Sequence, residues 1–197
     1  AARLLDAPLQ IDASPRNTAV SSVKQSLVTV DKKRKTELFC HLLKKHRWEQ
    51  VLVFVRTKKG VDTLLETLSY QGFAADAIHG DKPQHIRQRA LDRFKQGEVS
   101  ILVATDVAAR GLDIDELPLV VNFDLPTVAE DYVHRIGRTG RAGASGTALS
   151  LVCADEAPML RAIEQLIQQT IRRREERGFS PEHRVPQTAP EGQQARP

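Results

Sequence analysis

Several things are scarce in this chain of 197 residues, and each shortage closes a route. The two cysteines, Cys40 and Cys153, lie far apart with no C-x-x-C pair, which argues against a zinc site or a disulfide framework. Both read as core thiols in a reducing, cytoplasmic setting. Aromatic residues make up 5%, too few for a broad base-stacking platform, so a bound nucleic acid would be held mainly by its phosphates. No apolar run approaches the roughly 18 residues of a membrane span. No secretory signal pattern opens the chain, and no membrane partner is expected. No Gly-Lys pair occurs anywhere, so the G-x-x-x-x-G-K-S/T loop that a self-sufficient ATP hydrolase needs is missing. No G-x-G-x-x-G follows a first strand, which removes a nucleotide-binding oxidoreductase.

What is present is ordinary globular material, 41% hydrophobic and 27% charged, with a formal charge of +4 that only mildly favours an anionic partner. The length suits one α/β domain with tails. Residues 1–21, with Pro8 and Pro15 among small and polar residues, read as the tail of a preceding domain and a linker. Residues 22–177 form the expected domain. Residues 178–197, rich in Pro, Gln and Gly with almost nothing to bury, are expected to be disordered.

Inside the domain, short apolar runs alternate with amphipathic stretches. Strands are expected at VKQSLVTV, VLVFV, AADAIH, VSILVATD, LPLVVNFD and GTALSLVC. The intervening helices are one capped by Asp31, one over 58–70 stopped by Gly72, and one with Pro83 in its first turn. A further helix starts at Thr127 with a Thr127–Glu130 capping box, and a long final one runs from an Asp155 cap through RRREER. This rhythm predicts a mostly parallel sheet with helices on both faces, a three-layer α/β/α domain.

In such sheets function gathers beyond the carboxyl ends of the strands. Arg56, Thr57, His79, Gly80, Thr105, Asp106 and Asp124 are expected there. HRIGRTGRAGASG follows, threading Arg135, Arg138 and Arg141 through Gly137, Gly140, Gly143 and Gly146. Its glycine period is too short for collagen. A flexible helix exit with solvated arginines is the plain alternative. The functional reading is that guanidinium forks on a glycine-rich turn suit a phosphate oxygen that gains charge during transfer. ATDVAARGLDI sets a hydroxyl, a glycine and acids at a strand end, a recipe for phosphate and ribose groups. HGDKPQHIR puts Gln84 and Arg87 one turn apart near a helix N-terminus, which favours an anion. The acids Asp155 and Glu156 imitate a magnesium motif, but they have no phosphate loop to serve.

VLVFVRTKKG, IHGDKPQHIR, ILVATDVAARGLDI, VVNFDLP and YVHRIGRTGRAG, in this order over about residues 23–165, resemble the motifs of the second RecA-like domain of DEAD-box RNA helicases. Other helicases of the superfamily typically carry glutamine where this chain has His134. PRNTAV, the DKKRK helix and EDYVHRIGRTGRA followed by LSLVCADE are most similar to the bacterial RhlE subgroup.

The resemblance implies a RecA-like fold and half of a two-domain ATPase that unwinds RNA locally. ATP with Mg²⁺ would be bound mainly by an N-terminal RecA-like domain that this chain lacks, and the isolated piece would be inactive. It implies that Arg138 and Arg141 are arginine fingers for the γ-phosphate, with His134 beside them, and that Asp113 and Gly111 meet the nucleotide. Arg110 and His134 would couple to the other domain. Arg56, Thr57, Gly80, Gln84, Arg87, Thr105 and Gly111 would line the track for the RNA backbone, with little sequence specificity and no resident metal. The alternative is a free-standing RNA-binding or regulatory module without ATPase activity.

Overall fold

The computed structural model describes residues 20–140 and 145–188. Its strands are β1 (Val23–Thr29), β2 (Val51–Phe54), β3 (Ala75–Ile78), β4 (Ile101–Ala104), β5 (Leu119–Asn122), β6 (Gly146–Val152) and β7 (Arg172–Arg174). Its helices are α1 (Lys35–His46), α2 (Lys58–Tyr70), α3 (Gln84–Lys95), the single turn α4 (Asp106–Ala109), α5 (Ala129–Ile136) and α6 (Ala157–Ile167). Among the described residues no helix is long and apolar enough to cross a membrane.

The strands pair in the order β3-β4-β2-β5-β6-β1-β7, and every pairing is parallel. VLVF, ILVA and LVVN are buried at every position because parallel strands covered on both faces cannot alternate. One core cluster joins Val28, Val53, Val103 and Val121 to Phe39 and Leu42 of α1 and Leu64 and Leu68 of α2. On the other face Leu52, Phe54 and Val120 meet Leu91 and Phe94 of α3, and Leu27 meets Tyr132 of α5 and Leu160 and Ile163 of α6. The three-layer architecture is as expected, with a sheet wholly parallel among the described strands. Cys40 and Cys153 are buried and unpaired, and burial raises both thiol pKa values.

Several local expectations fail for tertiary reasons. The long final helix stops at Ile167, where Gln168 turns left-handed (φ 57°) and the Glu164 carboxylate accepts from the Ile171 amide at 3.1 Å. Arg172–Arg174 then pair with Ser26–Val28 as an edge strand, so sheet pairing overrides the helix propensity of arginine. Asp155 caps nothing; the turn Ala154–Glu156 is closed by Glu156, which accepts from the Cys153 amide. α5 begins at Ala129 with Val128 at its cap, and no Thr127–Glu130 box forms. Asp31 precedes a 3-10 turn (Lys32–Arg34) without capping it and instead accepts from the Glu182 and His183 amides.

Those amides belong to the expected disordered tail. Residues 178–188 instead pack against the domain, with Phe179 buried near His41 and Arg34 and Val185 buried on the α6 face. Arg173 holds this segment through the Val185 and Pro186 carbonyls. Residues 1–19 of the expected linker and 189–197 of the tail lie outside the described residues.

Candidate functional site

The rim expected from the sequence assembles at the carboxyl edge of β3, β4, β2 and β5. Past β2, the Thr57 hydroxyl caps α2 by accepting from the Gly60 amide at 3.0 Å. Past β3, buried His79 accepts the Asp81 amide on Nδ1 at 3.2 Å, so Nε2 carries the proton donated to Asp62 at 2.8 Å. Next to it Gly80 lies beside Lys58, whose ammonium reaches Asp81 at 2.8 Å and lowers that carboxyl's pKa. Past β4, Thr105 caps α4 through the Ala108 amide. Gly111 follows at φ +73°, a left-handed conformation that a Cβ would strain. Gln84 and Arg87 stand in the first turn of α3; Gln84 is exposed, and Arg87 Nε is buried with no hydrogen-bond partner among the described residues.

The arginines do not behave alike. Arg135 is 1% exposed and grips Asp106 with two bonds of 2.6 and 2.7 Å. Its remaining nitrogen donates to Asn122 Oδ1 and to the Asp124 carbonyl, and its plane lies over the Phe54 ring. It therefore locks α5 to the ends of β4 and β5. Arg138 does not project outward as its place on the glycine-rich exit suggests. It donates to the carbonyls of Leu112 (2.8 Å) and Ala109 (3.1 Å) and sits 3.8 Å from Asp115, so it braces the loop carrying Gly111 and Asp113. Arg141 lies outside the described residues.

Arg110 and His134, far apart in sequence, meet on one carboxylate. Asp131 accepts from Arg110 at 3.0 Å and lies 3.7 Å from His134 Nδ1, while both partners stay largely exposed. Asp113 is 88% exposed, and among the described residues Lys95 meets it at 3.4 Å. The rim thus presents Asp113, Arg110, His134 and Gln84 outward on a rigid edge.

Sequence reasoning missed the residues that hold this edge together. Arg56 is not a free cation: its side chain donates to the Leu125 carbonyl at 2.9 Å and to Glu156 at 3.0 Å, while its amide meets Asp124. Buried Glu156 also accepts from Lys35 at 2.5 Å and from the Leu125 amide at 2.7 Å. The acid that imitated a magnesium ligand is thus an internal anchor that joins α1, the exit of β2 and the segment after β5. No sequence signal marked the pair, because Lys35 reveals its need for a carboxylate only once the first turn of α1 is buried.

The rim has little to hold a metal with, because Asp106 is committed to Arg135 and Asp124 to Lys35 and Arg56. Among the described residues the one compact set of carboxylate and imidazole ligands is Asp31, Glu182 and His183, away from this rim. An exposed carboxylate and guanidinium groups suit a nucleotide's hydroxyls and phosphates. A magnesium ion would need carboxylates from elsewhere.

Comparison with known proteins agrees with this fold. The model of the helicase conserved C-terminal domain matches residues 34–143. The DEAD-box ATP-dependent RNA helicase CshA of Bacillus subtilis is 44% identical over 176 residues, which is 89% of this chain and 36% of that protein. The chain spans about a third of the length of the curated relatives it matches. Among solved structures, E. coli DEAD-box protein SrmB bound to regulator of ribonuclease activity A superposes with a TM-score of 0.78 at 39% identity, covering 84% of this chain and 98% of that one. The C-terminal domain of the DEAD-box protein Dbp5 gives 0.72 at 33%, covering 78% and 91%.

Proposed function

Because the chain belongs to the helicase conserved C-terminal domain family, in its DEAD-box branch, we propose that it is the second RecA-like half of an ATP-dependent RNA helicase. The observation that carries the reading is a carboxyl-edge rim that offers groups for a nucleotide and an RNA backbone, in a chain without a phosphate loop.

On this reading an N-terminal RecA-like domain brings ATP and Mg²⁺, which supply the phosphoryl chemistry. Asp113 faces the ribose and Gly111 lets the backbone approach closely. Arg138 and Arg141 serve the γ-phosphate, where guanidinium forks stabilise charge that spreads over the equatorial oxygens. In the free domain Arg138 is bound to the Ala109 and Leu112 carbonyls, so reaching an oxyanion means exchanging those acceptors for phosphate oxygens. Such an exchange ties finger engagement to movement of the Gly111–Asp113 loop. Arg110 and His134, gathered on Asp131, face the other domain and couple closure to this site. Thr57, Gly80, Gln84, Arg87 and Thr105 follow the RNA sugar-phosphate backbone, with Arg56 bracing the β2 exit. Contacts to phosphates rather than base edges give little sequence specificity. ATP and RNA together close the cleft, one strand bends, and hydrolysis reopens it.

In the full-length protein, Arg141→Ala should slow RNA-stimulated ATP turnover by about a thousandfold or more, the scale of a lost arginine finger, and leave RNA affinity within about twofold. Turnover equal to the parent's would remove Arg141 from the reaction. A non-hydrolysing RNA-binding module remains the second reading, favoured by the inward hold on Arg138. It predicts full-length protein without turnover in either form.

A further inference from the structure

The opposite edge of the sheet carries a second charged surface that the helicase reading does not use. α1 ends at His46, beside the amino halves of β1, β6 and β5 on its side of the sheet. There a groove of about 610 Å³ opens, with Ser26, Thr147, Leu149 and Leu119 as its floor and His46, Arg47, Trp48 and Arg174 along its wall. That volume is within the roughly 300–1,000 Å³ of small-molecule sites. The His46 and Trp48 rings stack, 5.1 Å apart and 8° from parallel, although the chain is poor in aromatics and Trp48 is its one tryptophan.

Charge gathers around those rings. In the parallel register Arg172 lies beside Ser26 and Arg174 beside Val28, so both point to the α1 side, and Lys24 shares that side two residues before Ser26. Lys24, Arg47, Arg172 and Arg174 are exposed, and none has an acidic partner within ion-pair distance among the described residues. Burial and the nearby cations Lys45 and Arg174 lower the pKa of His46, as expected where positive charge is crowded. Glu49 is the one acid on the groove's wall.

Unpaired cations beside a stacked aromatic pair, over a floor with hydroxyls, form a complement to a polyanion that carries flat heterocycles. Arg172 and Arg174 stand about 6.6 Å apart along the strand, comparable to successive phosphates of an extended chain. We propose that this amino-edge groove binds single-stranded RNA, with a base stacked on the His46–Trp48 pair and phosphates on Arg47, Arg172 and Arg174. The groove is independent of the carboxyl-edge rim, and a strand held here would be held whether the cleft is open or shut.

Trp48 makes the test direct, because all tryptophan emission comes from the groove. A 12-nucleotide oligouridylate titrated into the 197-residue chain without ATP should quench that emission saturably. Arg47→Gln with Arg174→Gln should weaken binding about tenfold or more and lower the salt slope by about 0.7 for each arginine removed. The same titration with Arg161→Gln, which removes an exposed cation of α6 outside both surfaces, should be unchanged, which separates the groove from a general loss of charge. Circular dichroism of the exposed double variant, expected to match the parent, excludes misfolding, and a single Arg174→Gln variant should give about half the slope change. Absence of quenching would overturn the proposal. So would quenching lost with Arg161→Gln, or an oligoglutamate peptide that binds as tightly as the RNA and thereby marks a protein-docking surface.

Discussion

Arg135 and Arg87 show how little an arginine's place in a basic motif says about its work. Arg135 is the second residue of HRIGRTGRAG, yet it is buried with every polar edge matched to Asp106, Asn122 or the Asp124 carbonyl. Arg135→Met would leave those groups facing an apolar chain, and breaking a buried pair costs about 3–5 kcal/mol. Urea unfolding of the isolated chain should show a loss of that order. Arg135→Lys should recover little of it, because one ammonium cannot span the two carboxylate oxygens and the carbonyl together. Arg87 is the opposite case, half-buried with Nε unmatched among the described residues. A guanidinium already partly stripped of water gains more from a phosphate than a fully hydrated one does. For RNA on the carboxyl-edge track, filter binding of full-length Arg87→Ala with an ATP analogue should show weaker affinity and a salt slope smaller by about 0.7. An unchanged slope would move Arg87 off the track.

At the scale of elements, the segment after α6 is a strap rather than a tail. β7 adds an edge to β1, Phe179 enters the core on the α1 side, and Val185 enters the one on the α6 side. Between them the Asp31 carboxylate accepts from both the Glu182 and His183 amides at 2.9 and 3.0 Å. Those two backbone bonds lower the Asp31 pKa. A folded value below the unfolded one means that the clasp stabilises the fold above the ordinary aspartate range and is lost as pH falls through the folded value. His183 Nδ1 also lies 3.6 Å from the carboxylate, and the loosening follows the protonation of Asp31. Amide exchange at Glu182 and His183 should therefore rise only below about pH 4 once corrected for intrinsic rates. Asp31→Asn should raise it at neutral pH and flatten the acid response. Protection unaffected by the substitution would mean that Phe179 and Val185 hold the strap alone.

For the whole molecule, the sequence revealed what is repeated and hid what is specific. Buried parallel strands show as continuous apolar runs, so the positions of β2, β4 and β5 were legible. Their spatial order was not, because it depends on how each crossover packs. β7 was invisible as three arginines in a row, since an edge strand can be charged where one face meets solvent. The outward groups Asp113, Arg110 and His134 could be picked out through the motifs that carry the family resemblance, whereas the anchors Glu156 and Lys35 could not. Anchors are defined by partners more than a hundred residues away.

The division of labour in the proposed helicase predicts how the halves behave when separated. The rim of this chain has arginines but no phosphate loop, so ATP meets all of its groups only when another domain docks across the carboxyl edge. Joined by a short linker, two domains see each other at an effective concentration of about a millimolar. Mixed as separate chains at micromolar levels, they meet about a thousand times less often, so docking is negligible unless the interface is strong. This chain alone should therefore give no RNA-stimulated ATP turnover. A mixture with the N-terminal half of a relative should be nearly silent at micromolar concentrations and become active as both approach the millimolar range. Activity regained in the mixture should vanish with Arg141→Ala in this chain, because the finger must come from here. Turnover by the 197-residue chain alone would overturn the two-domain account. Activity that persists without Arg141 would leave the account standing and place the finger elsewhere, with the inward-bound Arg138 next to be substituted.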